Sequence, residues 1–344
     1  MQDPSPTQRT VRLSVLDQSI SLAGSSEDAA IRESVALAEH VEALGYHRYW
    51  VSEHHALPTI VGSAPEILMA AVAARTTRIR IGSAGVMLPH YAAFKVAEVF
   101  RVLDALAPGR IDLGVGRAPG GDRRTAQALN PNASGLAEEF PEQIMDLAAW
   151  VSGAPHRGVS AHPRAPPGDP ERTPMLWILG SSDYGAQLAA HLGLPYAFAY
   201  FFMDGAGVEQ ALHLYRTLYQ PSPRQPQPQA TICIWALVAP SDEQARHLAL
   251  SRDRWRLDRA RGVLGPLRAP DEIARNGFRP DEDATLAPMR RKAFVGSPTT
   301  VGRQLRALAD ELQLDELVVN TWAHDPDVRR RSYALLAQEL KLPT

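Results

Sequence analysis

Short apolar runs alternate along this chain with longer stretches in which apolar residues return every third or fourth position. The clearest unit lies between residues 78 and 121. Ile79-Arg80-Ile81-Gly82-Ser83-Ala84-Gly85-Val86-Met87-Leu88 opens β-branched and then loses side-chain bulk, until Pro89 and His90 break it. Residues 91–106 read as a helix whose polar side carries Lys95, Glu98, Arg101 and Asp104, and Ala107-Pro108-Gly109 stops it. Arg110-Ile111-Asp112-Leu113-Gly114-Val115-Gly116 is a second strand. Two strands joined by a helical crossover of this length run parallel, with a right-handed connection.

The alternation extends to both ends of the chain. Further strands are predicted over residues 11–16, 49–52, 175–179, 196–202, 231–238 and 316–320. Helices are predicted over 26–44, 65–76 and 137–151, with another ending near Ala190. Eight strands interleaved with helices predict an α/β fold of the (β/α)8 TIM-barrel type, one domain over 11–344 rather than two. Residues 1–10 are expected to form a disordered tail. Long insertions are expected after the fourth and seventh strands. Residues 153–174, with six prolines, read as a surface loop, and residues 256–294, rich in Arg, Asp and Pro, as a lid or excursion. A shorter connector with four prolines spans 220–229.

Hydrophobic content of 45% and charged content of 22% are globular values. A formal net charge of −2 implies no basic surface for nucleic acid. Cys233, the sole cysteine, excludes an internal disulfide and a thiolate metal cluster. The first ten residues lack the apolar core of a signal peptide, and no uncharged run is long enough to span a bilayer. A cytoplasmic protein is expected, with neither nucleic acid nor membrane as partner.

In such a barrel the ligand site lies at the carboxyl ends of the strands. Four groups are therefore expected to converge: Asp17-Gln18, Glu53-His54-His55, Arg117, and Gly180-Ser181-Ser182. A histidine titrates near neutrality and can exchange a proton with a bound intermediate, so acid–base chemistry is one reading of Glu53-His54-His55. Metal ligation and plain capping of backbone groups are the others. Metal is the weaker option, because no matching His/Asp cluster follows another strand. Gly180-Ser181-Ser182 before a helix is either a phosphate cradle or an ordinary N-cap. Arg117, in the glycine-rich run Arg117-Ala118-Pro119-Gly120-Gly121-Asp122, either grips the same anion or pairs with Asp122.

In combination these residues resemble the bacterial-luciferase-like flavin-dependent monooxygenases, in their single-chain branch. The likeness rests on Tyr49-Trp50-Val51-Ser52-Glu53-His54-His55, on residues 81–89 and 103–117, and on Phe294-Val295-Gly296-Ser297-Pro298-Thr299. Ser14-Val15-Leu16-Asp17-Gln18-Ser19 with Leu179-Gly180-Ser181-Ser182 points to that branch. The resemblance implies FMN, used as FMNH2 supplied by a separate NAD(P)H-flavin reductase, and peroxyflavin chemistry with O2 on a small-molecule substrate. It implies catalytic roles for His54, with Glu53 and His55 as neighbours. The flavin ring would lie against Ala84-Gly85-Val86, with a cis peptide at Ala84–Gly85. The phosphate would sit near Arg117, Gly180, Ser181, Ser182 and Tyr184, and an apolar wall would come from Trp177, Phe198, Phe202 and Trp322. Pairing into a homodimer through the second and third helices is also implied.

Two departures stand out. The reactive cysteine of the light-emitting subunits corresponds to Gly116, which argues against light emission. Their second phosphate-binding arginine has no secure match between Asp122 and Phe140, where Arg123 and Arg124 are the available cations. The competing function classes are a deazaflavin-dependent hydride-transfer enzyme, a metal-dependent barrel hydrolase built on Glu53, His54 and His55, and a non-catalytic flavin-binding relative.

Overall fold

The computed structural model describes residues 11–118, 122–132, 138–164, 172–222 and 224–343. The first half runs β1 (Arg12–Asp17), α1 (Glu27–Ala43), β2 (Arg48–Val51), α2 (Pro65–Arg75), β3 (Arg80–Met87), α3 (Ala93–Leu106) and β4 (Ile111–Gly116). After α4 (Arg123–Leu129) and α5 (Phe140–Val151) come β5 (Met175–Gly180), α6 (Asp183–His191), β6 (Tyr196–Phe198), α7 (Val208–Leu218) and β7 (Ala230–Val238). The chain ends with α8 (Asp242–Ala260), α9 (Pro270–Asn276), α10 (Pro280–Arg291), β8 (Phe294–Gly296), α11 (Pro298–Glu311), β9 (Glu316–Asn320) and α12 (Pro326–Leu340). Strands β1 to β7 and β9 pair in parallel in a closed ring, with β6 joined to β7 and β9 lying between β7 and β1. This is the expected (β/α)8 barrel.

Period-two alternation sorts each strand into two faces. Val15, Tyr49, Val51, Ile81, Leu113 and Val319 face outward into the main core, against Leu37, Met69, Val72 and Phe100 of the helices. Each fully buried side chain of that size contributes roughly 1.5–3 kcal/mol. Leu16, Trp50, Trp177, Ala197, Cys233 and Val318 form a separate inner cluster. Below them, charges plug the amino-terminal end of the barrel. Arg48 donates to Glu316 Oε1 and to Asp112 Oδ2, both at 2.8 Å, and lies 5.0 Å from the Trp177 ring centre. Arg80 Nη2 adds a 2.6 Å bond to Asp112, and Ser14 donates to Glu316 at 2.6 Å. Burial pushes the Asp112 carboxyl up, but Arg48 and Arg80 outweigh it and hold the acid below its ordinary range. With that end sealed, the opening is at the carboxyl ends.

One expected strand is shorter than predicted, and two features were not predicted. Of residues 196–202 only Tyr196–Phe198 pairs as a strand, and Tyr200–Phe202 is a 3-10 turn. β8, absent from the sequence reading, adds to β7 outside the ring, so the eighth barrel strand is β9. The segment 256–294 is largely helical, comprising the end of α8 with α9 and α10. The tail 1–10, residues 119–121 of the Arg117 loop and residues 165–171 of the proline-rich segment lie outside the described residues.

Candidate active site

A cavity of about 540 Å3 opens at the carboxyl ends of the strands, within the range of about 300–1,000 Å3 usual for ligand sites. Glu53 and His54 after β2, Ala84 and Gly85 in β3, Arg117 after β4, and Gly180, Ser181, Ser182 and Tyr184 at the β5–α6 junction all line it. Residues up to 302 positions apart in sequence (Leu16 to Val318) thus meet over one space.

The floor is apolar and comes from the inner cluster. Trp50 stands edge-on to Trp177 with ring centres 5.2 Å apart, and its indole N–H donates to Asp112 at 3.0 Å. Gly82 makes room for it, since a Cβ there would come within 2.5 Å of the Trp50 ring. Leu16, Leu179, Ala197, Cys233 and Val318 complete that surface. Burial pushes the Cys233 thiol far above its ordinary value, so it is a neutral wall residue. The Ala84–Gly85 peptide is cis, as the resemblance implied. Gly85 itself is demanded by strand packing, because a Cβ there would sit 2.9 Å from Gly114 O. Gly116 differs: a Cβ there meets nothing within 4 Å, on the cavity side of β4.

One wall is polar. His54 Nδ1 lies 3.2 Å from Ser52 Oγ, leaving Nε2 for the cavity. Burial, then the charges of His55 and Arg259, push the His54 imidazole down to about 4. It is neutral at physiological pH. Glu53 is buried and fully engaged. Its carboxylate accepts from Tyr91 OH at 2.7 Å, His55 Nε2 at 2.8 Å and Met87 N–H at 3.1 Å. It ties the ends of β2 and β3 together.

The opposite wall has the chemistry of an anion cradle. Ser182 is the N-cap residue of α6, yet its side chain makes no capping bond. The first amides of that helix are thus not capped by the Ser182 side chain, and a helix start of this kind favours an anion. Arg117 lies 4.0 Å above the Tyr184 ring, at the rim of this cradle, while Asp122 caps α4 through Thr125 N–H at 2.8 Å. Ser182 thus takes the N-cap position without a capping bond, and among the described residues Arg117 and Asp122 do not pair. Arg123 and Arg124 open α4 and do not line the cavity.

Several predicted residues lie elsewhere. His55 is off the cavity wall, bonded to Glu53, and reaches the site through that carboxylate and through its charge on His54. Asp17 points outward, 2.7 Å from Arg329 and 2.9 Å from Tyr49 OH, because it alternates with inward Leu16. Gln18 does line the cavity, and its Oε1 accepts from Asn320 and Trp322. Of the proposed apolar wall, Phe198 and Phe202 line the cavity. Trp177 is buried beneath Trp50, and Trp322 belongs to a neighbouring cluster with Trp235. Trp50 and Phe201 were missed, although alternation from outward Tyr49 marks Trp50 as inward. Among the described residues no three His, Cys, Asp or Glu side chains converge to hold a metal ion.

The family model for luciferase-like monooxygenases matches residues 11–315. The chain belongs to that family. It is 39% identical over 329 residues to a luciferase-like monooxygenase of Escherichia coli strain K12, an alignment covering 96% of this chain and 97% of that one. It is 33% identical over 334 residues to an N-acetyl-S-alkylcysteine monooxygenase of Bacillus subtilis strain 168, covering 95% and 97%. Among solved structures it resembles apo-MsnO8 with a TM-score of 0.89 and 35% identity, over 97% and 99% of the two chains. This luciferase-like monooxygenase is accordingly an oxidoreductase. No helix among its described residues is long and apolar enough to cross a membrane.

Proposed function

We propose that this chain is a flavin-dependent monooxygenase that binds FMN as FMNH2, delivered by a separate NAD(P)H-flavin reductase, and uses O2 to oxygenate a small organic substrate. The observation that carries the reading is that an uncapped helix start and a neutral histidine face one cavity across an apolar floor. The donor set fits the cofactor: amides of α6, two serine hydroxyls and Arg117 for a phosphate dianion, and Trp50, Ala84, Leu179 and Phe198 for a flat ring.

When bound, reduced FMN supplies the electrons that activate O2. The chain's own groups do the rest. Arg117 and the α6 amides would hold the phosphate, and Ala84, Gly85 and Trp50 would give the ring an apolar surface. His54, a neutral imidazole facing the cavity, would exchange a proton with a group bound there. Glu53, saturated by three donors, positions the β2 and β3 ends and is no acid or base, with His55 as its partner. Phe201 and Phe202 keep water from the mouth. Pairing through Ile67 of α2 and Val102 and Leu106 of α3, all largely exposed, would give a homodimer.

The test mixes the protein with FMN, NADH and a flavin reductase and follows O2 and NADH across a thioether and ketone panel. Substrate-dependent uptake that falls at least about 100-fold in His54→Ala is expected. Uptake independent of both protein and panel, or a micromolar preference for a deazaflavin over FMN, would reject the reading.

A further inference from the structure

Helix α8 closes over loops that follow three barrel strands. Trp255 Nε1 donates to Thr59 Oγ1 beyond β2, Arg256 grips Asp204 beyond β6 at 2.6 and 3.2 Å, and Trp255 stacks edge-on with Trp322 beyond β9 at 4.6 Å. Arg252, Arg256 and Arg259 are four and three residues apart, so they form one stripe of that helix. Among the described residues only Arg256 of the three has a carboxylate. Arg252 is buried with its guanidinium 4.0 Å from the Trp235 ring centre, and Arg259 lies 5.3 Å from that of Trp255.

The acids nearest Arg252 are engaged with other partners. Asp253 accepts from Arg290 at 2.6 Å, Asp258 is bridged to Arg254 at 2.7 Å, and Asp204 belongs to Arg256. Among the described residues Arg252 has neither an ion pair nor a hydrogen bond. A buried guanidinium is costly unless an anion and hydrogen-bond acceptors complete it, and stacking on an indole supplies neither. Arg252 stacks on Trp235, one layer behind the cavity wall. Phe201 lines the cavity and packs in the same apolar cluster as Trp235, while the charge of Arg259 acts on His54. Seven residues of helix set the two ends of the stripe roughly 10 Å apart.

We propose that this stripe is a substrate-anion site, in which Arg252, backed by Trp235, takes a carboxylate on the substrate and Arg259 adds its field, so that the apolar part runs past Phe201 towards His54. The direction of that apolar part rests on the flavin reading above; the anion site does not. The planar fork of an arginine suits a carboxylate bidentately, which a neutral ester cannot reproduce.

The full chain, with and without FMN, is titrated with butyrate, hexanoate, benzoate and N-acetyl-S-benzylcysteine, each against its methyl ester. At least one acid should bind on the order of tenfold more tightly than its ester. That preference should vanish in Arg252→Gln while FMN affinity changes less than about twofold. Arg252→Met, which keeps the packing on Trp235, decides the matter if the glutamine variant does not fold. No acid preferred over its ester in the whole panel, or a preference that survives loss of Arg252, overturns the proposal. A chain that prefers acids yet takes up no FMN refutes the flavin reading alone.

Discussion

His54 and His47 are both held in their neutral forms near pH 4 by burial, and the sign of the consequence follows directly. The folded chain resists protonation while the unfolded chain takes protons at about 6.5. Stability from these groups is complete above that value and is lost as pH falls from about 6.5 towards 4. Urea midpoints should decline over that window, and His47→Gln should flatten the decline; a midpoint constant from pH 7 to 4.5 would contradict this. In NMR, His54 should titrate near 4 in the absence of ligand, and a midpoint above 6 would remove the argument for its neutrality. The sequence marked His54 and Glu53 by residue type, but their different roles were hidden. What separates them is Tyr91, His55 and Met87 around Glu53, against Ser52 alone for His54. Asp17 misled because alternation turns it to Arg329, 312 positions away, a partner that no local pattern displays.

Among elements, α6 carries the sharpest prediction, since its first turn is offered to a ligand. Ser182→Asp should stabilise the chain by roughly 0.3–1 kcal/mol through the helix dipole, yet weaken FMN by placing a carboxylate where the phosphate belongs. Thermal melts and FMN titration of the same variant check both signs, and a variant gaining in both would contradict the cradle. The barrel plug makes another. Arg48→Met leaves Asp112 and Glu316 buried without their cation and should cost about 3–5 kcal/mol in urea unfolding, most of it recovered by adding Asp112→Asn. Strand and helix order was legible because β-branched runs, stop signals and helical periods agree locally. β6 was overextended because Tyr200-Phe201-Phe202 has strand propensity but turns over the cavity mouth instead of pairing. β8 was missed because three residues ending in a glycine carry no periodicity.

At the scale of the molecule, a closed ring with a charged plug at one end leaves a single functional face, and the residues that matter reach it from loops spread over most of the chain. The apolar stripe of Ile67, Val102 and Leu106 lies away from that face. Light scattering should report a homodimer that Leu106→Asp dissociates, and a monomeric parent at micromolar concentration would reject the pairing. The claim on which the rest depends is that the α6 end of the cavity holds a flavin phosphate. Calorimetric titration of FMN and of riboflavin, which lacks the phosphate, into the parent and Arg117→Gln tests it most directly. The account predicts one FMN per chain at micromolar affinity, weakened about 10- to 100-fold by Arg117→Gln, with riboflavin weaker and insensitive to that change. Equal affinity for FMN and riboflavin in the parent would contradict it.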